Sequence, residues 1–480
     1  MNEPKKSDHE TLTGPLIGIR HAQIAVLFLN LAIGYGMRTN LSVAIVAMTD
    51  NSTTTNTDIP TYDWENKSVI LSSFFWGYIT LQIFAGELGN RYGTKWLLFV
   101  AMFVNSTACI LIPTMANAVG SYGVMGCRVV QGMSQGFFFP SVSNLLGQWI
   151  PPTERSTMAT VVYAGPSFGI ILSMPVTGFI AASKFGWPPS FYLFGALGYT
   201  WMLIWCFLGA NSPAEHPRIS NEERAYIERT LKTTQHERGK TPWNSIFSSL
   251  PVWAFIVAMF GQNWGYSTLM TEIPTYLNKI MGINMTSNGM LSAAPYLASF
   301  IFSFIFGILS DYLINRDYVG RGTARKIFNT LGTCVPAVAL VSLGFLPSNA
   351  TVLSEVMLII AVGMNAACFV GFQVNPVDLA PNYAGIIMGI GNGSSNIFSI
   401  IAPLVVHFVV ADEEDKSLWR IIFIAASAVY LTANLFFVLY SSGDVQPWND
   451  VADLEKRKQP STTNDNGPNI HIDGKYTESS

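Results

Sequence analysis

Two arginines lie within long apolar stretches of the sequence, where charged residues are rare. Arg38 falls in the stretch 22–48 and Arg128 in the stretch 120–147, with few acidic residues nearby in either. A guanidinium in the hydrocarbon interior of a membrane is costly and therefore normally faces a partner or a water-filled path. Its planar fork can bind a carboxylate or a phosphate through two parallel hydrogen bonds. The two arginines therefore predict a cavity that binds an anion.

The helical rise places both arginines at a similar depth. Arg38 is about ten residues from the outer end of its stretch, or ~15 Å, and Arg128 is about eight residues into its own, or ~12 Å. We therefore expect both guanidinium groups to contact one anion or to gate its path. The alternative is that each bonds helix carbonyls or extends toward the membrane surface.

Further polar side chains within apolar stretches could line the same cavity, although each could equally hold two helices together. Glu272 and His407 are titratable candidates for ion coupling. The candidates for substrate binding are, in the first half, Tyr35, Asn40, Tyr78, Gln82 and Gln135, and, in the second half, Gln262, Asn263, Tyr266, Tyr296, Asn392 and Asn396. The candidates for a cytosolic gate, which would stabilise one of two conformations, are Glu87, Arg91, Glu154, Arg155 and Asp311.

The composition indicates an integral membrane protein. Half of the 480 residues are hydrophobic and only 12% are charged, about half the charged fraction of a soluble protein. The sequence contains no phosphate-binding loop and no HExxH motif, and its cysteines lack metal-ligand spacing. We therefore expect no enzyme activity, no metal or organic cofactor and no nucleic-acid partner, and any energy must come from an ion gradient or a membrane potential.

Apolar windows of about 20 residues predict an all-α membrane protein with twelve transmembrane helices in two six-helix pseudo-repeats. We divide the chain into an N-terminal segment (1–21), a first bundle (22–210), a central loop (211–250), a second bundle (251–440) and a disordered tail (441–480). The predicted spans are 22–48, 68–88, 96–116, 120–147, 157–182, 189–210, 251–279, 287–311, 327–346, 353–376, 384–410 and 418–440.

The distribution of lysine and arginine predicts the orientation. Basic residues concentrate after spans 2 and 8, in the central loop and in the tail, so the positive-inside rule places both termini in the cytosol. The loop after span 1 then faces outward, and its sequon makes Asn51 a candidate glycosylation site. A plasma-membrane location is favoured, with a vesicular or lysosomal membrane as the alternative.

Several sequence blocks resemble one family of membrane transporters. They include Arg38–Val46, Arg128–Gly136, Asp378–Pro381 and Gly443–Trp448, and a Gly-x-x-x-(Asn/Asp) turn recurs at 86–90 and 307–311. The chain resembles the major facilitator superfamily, specifically the anion–cation symporter family of sodium/phosphate cotransporters, sialin and vesicular glutamate transporters. Its closest likeness is to the inorganic phosphate cotransporter branch found in invertebrates. The resemblance implies the major facilitator fold, alternating access, a small anionic substrate and a monomer. The cluster Lys456-Arg457-Lys458 in the tail makes anionic membrane lipid a candidate partner.

Two positions depart from the pattern of that family. Gln135 stands where sialin-like and glutamate-carrying members have a carboxylate taken to couple protons, and an amide cannot titrate. Gln262 stands where the glutamate carriers have an arginine. The first departure favours sodium-coupled or electrogenic movement of the anion over proton coupling, and the second disfavours glutamate as the cargo. The alternatives are a proton- or potential-driven vesicular or lysosomal organic-anion carrier, a membrane sensor that does not transport, and an anion channel.

Overall fold

The computed structural model describes residues 14–49, 59–231, 241–269, 276–277, 280, 282, 289–347, 349–410, 412 and 414–449. Within these ranges the protein is built of helices, and no strand is found. The helices of the first half are α1 (Ile19–Thr49), α2 (Lys67–Tyr92), α3 (Thr94–Val119), α4 (Ser121–Gln135), α5 (Phe138–Trp149), α6 (Arg155–Tyr163), α7 (Gly165–Ala181) and α8 (Pro188–Leu208).

The central segment, predicted as a loop, contains two short α-helices in its described residues, 211–231 and 241–250. They are α9 (Asn221–Leu231) and α10 (Trp243–Ser248). The helices of the second half are α11 (Leu250–Ser267), α12 (Gly289–Asn315), α13 (Arg321–Phe345), α14 (Thr351–Asn365), α15 (Asn375–Leu379), α16 (Ala384–Val409) and α17 (Lys416–Tyr440). A π-helical turn at Phe369–Gln373 joins α14 to α15.

Among the described residues, ten helices, some of them composed of two consecutive segments, are long and apolar enough to cross a membrane. The two remaining predicted spans correspond to the pair α4–α5 and to α11. These helices carry the polar residues that mark the candidate site, Arg128 and Gln135 on α4 and Gln262 and Asn263 on α11. The break between α4 and α5 leaves segments of 15 and 12 residues, and α11 has 18 residues.

The two halves pack against each other along two seams. In the first seam α2 and α5 contact α16, and in the second α6 and α7 contact α12. Within the first half, α2 and α4 cross at very short range because two glycines lie at the crossing. A Cβ atom on Gly77 would lie 2.0 Å from the Val129 oxygen, and one on Gly132 would lie 1.9 Å from the Phe74 oxygen. This close crossing brings the aromatic residues of α2 against Arg128.

Candidate anion-binding site and gate

Arg38 on α1 lies among aromatic rings and is partly exposed. An aromatic face attracts a cation through its quadrupole, so the rings stabilise the charge without neutralising it. Its Cζ atom lies within reach of four ring centroids: Phe74 at 4.7 Å, Phe75 at 4.7 Å, Tyr35 at 5.2 Å and Tyr78 at 5.8 Å. The guanidinium is thereby held in place, and its exposed part remains available to a ligand.

Arg128 on α4 lies behind Arg38 and is only 2% exposed. Its Cζ lies 4.9 Å from the centroid of the Phe74 ring, so Phe74 contacts both guanidinium groups. Its Nη1 donates to the backbone oxygen of Arg38 at 3.3 Å and to Oε1 of Gln131 at 3.3 Å. The two arginines are therefore close, as expected, but Arg128 supports the backbone of Arg38 and does not lie beside it as a second exposed fork.

Neither arginine is neutralised by an acidic partner in the part of the chain that the structure describes. The carboxylates found there within 4.0 Å of an arginine pair with Arg20, Arg155, Arg224, Arg321 and Arg325. Two positive charges therefore remain at the centre of the first half. In surroundings of low dielectric constant such charges produce a strong local potential, which attracts an anion.

Two tyrosines of the second half approach the same arginine. Tyr296 on α12 and Tyr266 on α11 both interact electrostatically with Arg38, and Tyr266 interacts also with Tyr296 and Tyr35. Tyr35, Tyr266 and Tyr296 are each partly exposed. The structure thus brings Arg38 together with these three predicted residues, which supply hydroxyl groups from both halves.

Four other predicted residues join the halves in pairs. The Nδ2 of Asn392 donates to the Tyr78 hydroxyl at 3.1 Å, and the Nδ2 of Asn396 donates to Oε1 of Gln82 at 3.4 Å. These bonds connect α16 to α2 across the first seam. All four side chains are at least nine-tenths buried, so in this conformation they bond each other.

The remaining polar candidates hold helices together within one half. On α1, Oδ1 of Asn40 accepts a hydrogen bond from Thr177. Nε2 of Gln135 donates to the Gly34 oxygen at 2.9 Å and to Oδ1 of Asn105 at 3.2 Å. The side chains of Gln262 and Asn365 bond each other at 2.7 and 3.2 Å, and Nδ2 of Asn263 donates to the Ser395 hydroxyl at 2.6 Å. The amide at position 135 donates to a carbonyl oxygen, which an ionised carboxylate could not do.

An ion-pair network closes one end of the molecule. Asp378 on α15 is fully buried, and its carboxylate lies 3.0 Å from Arg155 of the first half and 2.6 Å from Arg325 of the second. Asp311 accepts hydrogen bonds from the backbone nitrogens of Ser156 at 2.9 Å and Thr157 at 2.6 Å. We call this the closed end; it is the end at which α1 begins and α17 ends.

A second network at the closed end ties the N-terminal segment to the central loop. Arg20 is 1% exposed and pairs with Glu154 at 2.9 Å and with Glu223 of α9 at 3.1 Å. The carboxylate of Glu223 also accepts hydrogen bonds from the backbone nitrogens of Ile19 and Arg20, which begin α1. Glu87 accepts a hydrogen bond from Thr241 at 2.6 Å, and Arg91 is exposed. Of the five predicted gate residues, Arg155 and Asp311 contact the opposite half directly.

Five charged residues of these networks were not among the candidates: Arg20, Glu223, Arg321, Arg325 and Asp378. In the sequence, Asp378 and Arg325 are recognisable only as charged residues at the ends of apolar stretches. The sequence does not indicate that these two residues form an ion pair. Glu272 and Asn51 lie outside the described residues, as does the side chain of His407. Their roles stay predictions.

Comparison with known proteins agrees with this architecture. Residues 27–403 match the family model described as Major Facilitator Superfamily. A Drosophila melanogaster protein provisionally named an inorganic phosphate cotransporter is 35% identical over 464 residues, covering 91% of this chain and 88% of the relative. Vesicular glutamate transporter 3 of Danio rerio is 36% identical, covering 90% of this chain and 74% of the relative. Vesicular glutamate transporter 2 of Homo sapiens is 34% identical, covering 90% and 75%.

A solved structure shows the same fold. The proton:xylose symporter XylE, bound to 6-bromo-6-deoxy-D-glucose, superposes with a TM-score of 0.69 at 15% identity, covering 91% of this chain and 98% of that one. At this identity the likeness concerns the fold alone. The family match and the curated relatives settle the class: the chain belongs to the Major Facilitator Superfamily and is a multi-pass membrane transporter, not an enzyme.

Proposed function

We propose that the chain carries a small anion, inorganic phosphate or an organic anion, by alternating access, and that Arg38 binds the anion. The observation that carries this proposal is a partly exposed guanidinium without a described acidic partner, held by four aromatic rings. The names of the relatives, a phosphate cotransporter and vesicular glutamate transporters, support an anion as the cargo.

The arrangement also suggests how binding couples to conformational change. An anion on Arg38 of the first half would lie close to Tyr266 and Tyr296 of the second half. A ligand that contacts both halves binds one of the two conformations better and so shifts the equilibrium between them. In this proposal Arg128 is a positioning residue, because it holds the backbone of Arg38 and adds to the positive potential.

We propose sodium as the coupling ion. An anion that enters a cell moves against a potential that is negative inside, at about 2.3 kcal/mol per charge per 100 mV. A cotransported cation offsets this cost. The amide of Gln135 cannot carry a proton, which supports sodium over protons. The vesicular names of several relatives favour the alternative, a proton- or potential-driven carrier of organic anions in a vesicular membrane.

The distribution of basic residues supports a cytosolic location for the closed end. Arg91, Lys95 and the arginines of the central loop lie at that end. The anion would then reach Arg38 from the outer or lumenal side in the conformation described here. A plasma membrane location, glycosylation at Asn51, contact with membrane lipid and a monomeric state complete the proposal.

The test is uptake of labelled phosphate into proteoliposomes at fixed pH, with and without an inward sodium gradient. We expect saturable, sodium-stimulated uptake that Arg38→Ala abolishes. Arg316→Ala is the matched control, because Arg316 is exposed at the turn between α12 and α13. Uptake of urate, glutamate or sialate instead of phosphate would identify an organic-anion carrier. A flux that does not saturate would indicate a channel, and absence of all flux with retained anion binding would indicate a sensor.

A further inference from the structure

Residues 441–449, here called the C-terminal strap, follow the last membrane helix and lie against the segment that carries Asp378. The Nδ2 of Asn375 donates to the backbone oxygen of Ser442 at 2.7 Å. The backbone nitrogen of Gln446 donates to the oxygen of Leu379, the residue after Asp378, at 2.8 Å. The strap therefore holds α15 at both of its ends.

The end of the strap holds Asn382, which contacts the first half of the protein at the closed end. Oδ1 of Asn449 accepts from the backbone nitrogen of Asn382 at 3.1 Å, and the backbone oxygen of Asn449 accepts from the Asn382 side chain at 3.2 Å. The oxygen of Asn382 in turn accepts a hydrogen bond from Asn90 of the first half at 3.3 Å. Trp448 is 7% exposed, and its ring lies 6.2 Å from that of Tyr383.

The start of the strap touches the helix that carries Arg325. A Cβ atom on Gly443 would lie 2.2 Å from the backbone nitrogen of Gly322, in the first turn of α13. Arg321 and Arg325 belong to the same end of this helix and both approach Asp378. The strap thus contacts α13, α15 and the turn at 380–383, three segments of the second half that contribute to the closed end beside Asp311 of α12.

A five-residue helix cannot hold its own position. The α15 helix spans Asn375–Leu379 and is followed by Ala380 in a non-helical conformation, with φ −155° and ψ 87°. Isolated helices of this length are unstable in water, and their placement depends on tertiary contacts. The ion pair of Asp378 with Arg155 spans 3.0 Å, and because its strength depends on geometry it is sensitive to small displacements of this helix.

We propose that the C-terminal strap keeps the closed end shut, with Trp448 and Asn449 as positioning residues for Asn382 and Asp378. Loss of the strap lets the segment 375–383 shift. The contacts of Arg155 and Asn90 with the second half then weaken, and the equilibrium moves toward the conformation open at this end. The inference rests on the alternating-access part of the proposed function and is independent of which anion is carried.

The test uses a cysteine at a site that only opening exposes. Ser310 is fully buried at the closed end, where its hydroxyl bonds that of Ser156 at 3.1 Å. We would label Ser310→Cys with a membrane-impermeant maleimide in proteoliposomes and locate the adduct by mass spectrometry. Trp448→Ala, Asn449→Ala and a chain ending at Tyr440 should each label about fivefold to tenfold faster, the shift expected when one or two hydrogen bonds are lost.

Two controls separate positioning from general loss of structure. Val445→Ala alters a strap side chain that is 49% exposed, and a chain ending at Glu455 keeps the whole strap; both should label at the wild-type rate. Locking the halves with a short bifunctional thiol reagent between Thr153→Cys and Asn315→Cys, which meet at the closed end, should restore slow labelling in Trp448→Ala.

Unchanged labelling in Trp448→Ala, Asn449→Ala and the shortened chain would overturn the proposal. Fast labelling that persists in the locked protein would overturn it as well, because it would show local unfolding in place of opening. Labelling requires no transport. A protein that responds as expected but moves no anion would therefore refute the proposed function and leave the role of the strap intact.

Discussion

The side-chain amide of Asn392 donates a hydrogen bond to the hydroxyl of Tyr78, with 3.1 Å between the two atoms. One helical turn further, Asn396 and Gln82 repeat the contact at 3.4 Å. Residues four apart lie on one face of a helix, so the two bonds cross the seam between α2 and α16 as successive rungs. Neutral hydrogen bonds of this kind can be exchanged for bonds to water when the halves separate, and the seam is therefore suited to repeated opening.

Tyr78→Phe tests this role, because it removes the hydroxyl and keeps the ring that lies 5.8 Å from Arg38. The buried amide of Asn392 then loses its acceptor, at a cost of about 1 kcal/mol, or roughly fivefold in the ratio of the two conformations. We expect faster maleimide labelling of Ser310→Cys by about that factor, with little change in the KM for the anion.

The control is Tyr122→Phe, since Tyr122 is 75% exposed and loses the same hydroxyl without crossing a seam. Its labelling should match that of the unsubstituted protein. If Tyr78→Phe raised the KM without faster labelling, the bond between Tyr78 and Asn392 would not hold the two halves together, and the hydroxyl would belong to the anion site.

The helices could be predicted from the sequence because apolar stretches of membrane length have few other interpretations. The prediction gave one continuous span for 120–147, whereas the structure has α4 ending at Gln135 and α5 beginning at Phe138. The apolar run continues through this break, so composition alone does not reveal it. The helices α9 and α10 were missed because they are short, and α9 depends on contacts such as the ion pair of Glu223 with Arg20.

Of the candidate site, the sequence predicts those residues whose type alone is unusual for their position. Arg38 could be identified because a charge in an apolar stretch is costly wherever it points. That Arg128 supports the Arg38 backbone could not be foreseen, since it depends on the close crossing permitted by Gly77 and Gly132. The pairing of Asp378 with Arg155 joins residues more than two hundred positions apart, and no local pattern encodes such a contact.

Phe74 is the residue through which we expect the two arginines to be coupled. Its ring centroid lies 4.7 Å from Cζ of Arg38 and 4.9 Å from Cζ of Arg128. Phe74→Leu keeps an apolar side chain but removes both cation–π contacts, each worth about 0.5–2 kcal/mol. We predict a rise in the KM for the anion of about tenfold, measured in proteoliposome uptake at constant sodium.

Phe75→Leu provides the comparison, because Phe75 contacts Arg38 at 4.7 Å and belongs to the same turn of α2. It should raise the KM less than Phe74→Leu does, because only the guanidinium of Arg38 loses a ring contact. Equal effects of the two substitutions would show that the contact of Phe74 with Arg128 contributes nothing to anion binding.

Asp378 is expected to serve stability and gating through different partners. Its pair with Arg325 lies within the second half, whereas its pair with Arg155 crosses to the first. Asp378→Asn leaves both buried arginines without a full counter-charge, and breaking a buried pair in this way costs about 3–5 kcal/mol. We predict a clearly lower Tm together with faster labelling of Ser310→Cys.

Arg155→Gln separates the two effects. Asp378 then keeps Arg325 at 2.6 Å, so we expect labelling to accelerate while Tm changes less than in Asp378→Asn. If Arg155→Gln lowered Tm as much as Asp378→Asn and left labelling slow, Arg155 would be a structural residue and the gate would have to lie elsewhere.

His216 in the central loop should make the stability of this region depend on pH. The imidazole is 5% exposed and lies edge-on to Trp149, with 5.9 Å between the ring centroids. Burial lowers its pKa, and the nearby charges of Lys95 and Arg218 act in the same direction. The folded protein therefore binds fewer protons than the unfolded chain just below the ordinary histidine pKa of about 6.5. Stability must then fall as the pH drops through that value.

His216→Asn tests this, because an asparagine oxygen can still accept the hydrogen bond from the backbone nitrogen of Arg218 but does not titrate. We expect the decrease in Tm between about pH 7.5 and pH 5.5 to be smaller in this variant than in the unsubstituted protein. His471→Asn, in the tail, should keep the full decrease. If His216→Asn and the unsubstituted protein lost the same Tm over this interval, the pH dependence would have to come from another group, and His216 would be a packing residue only.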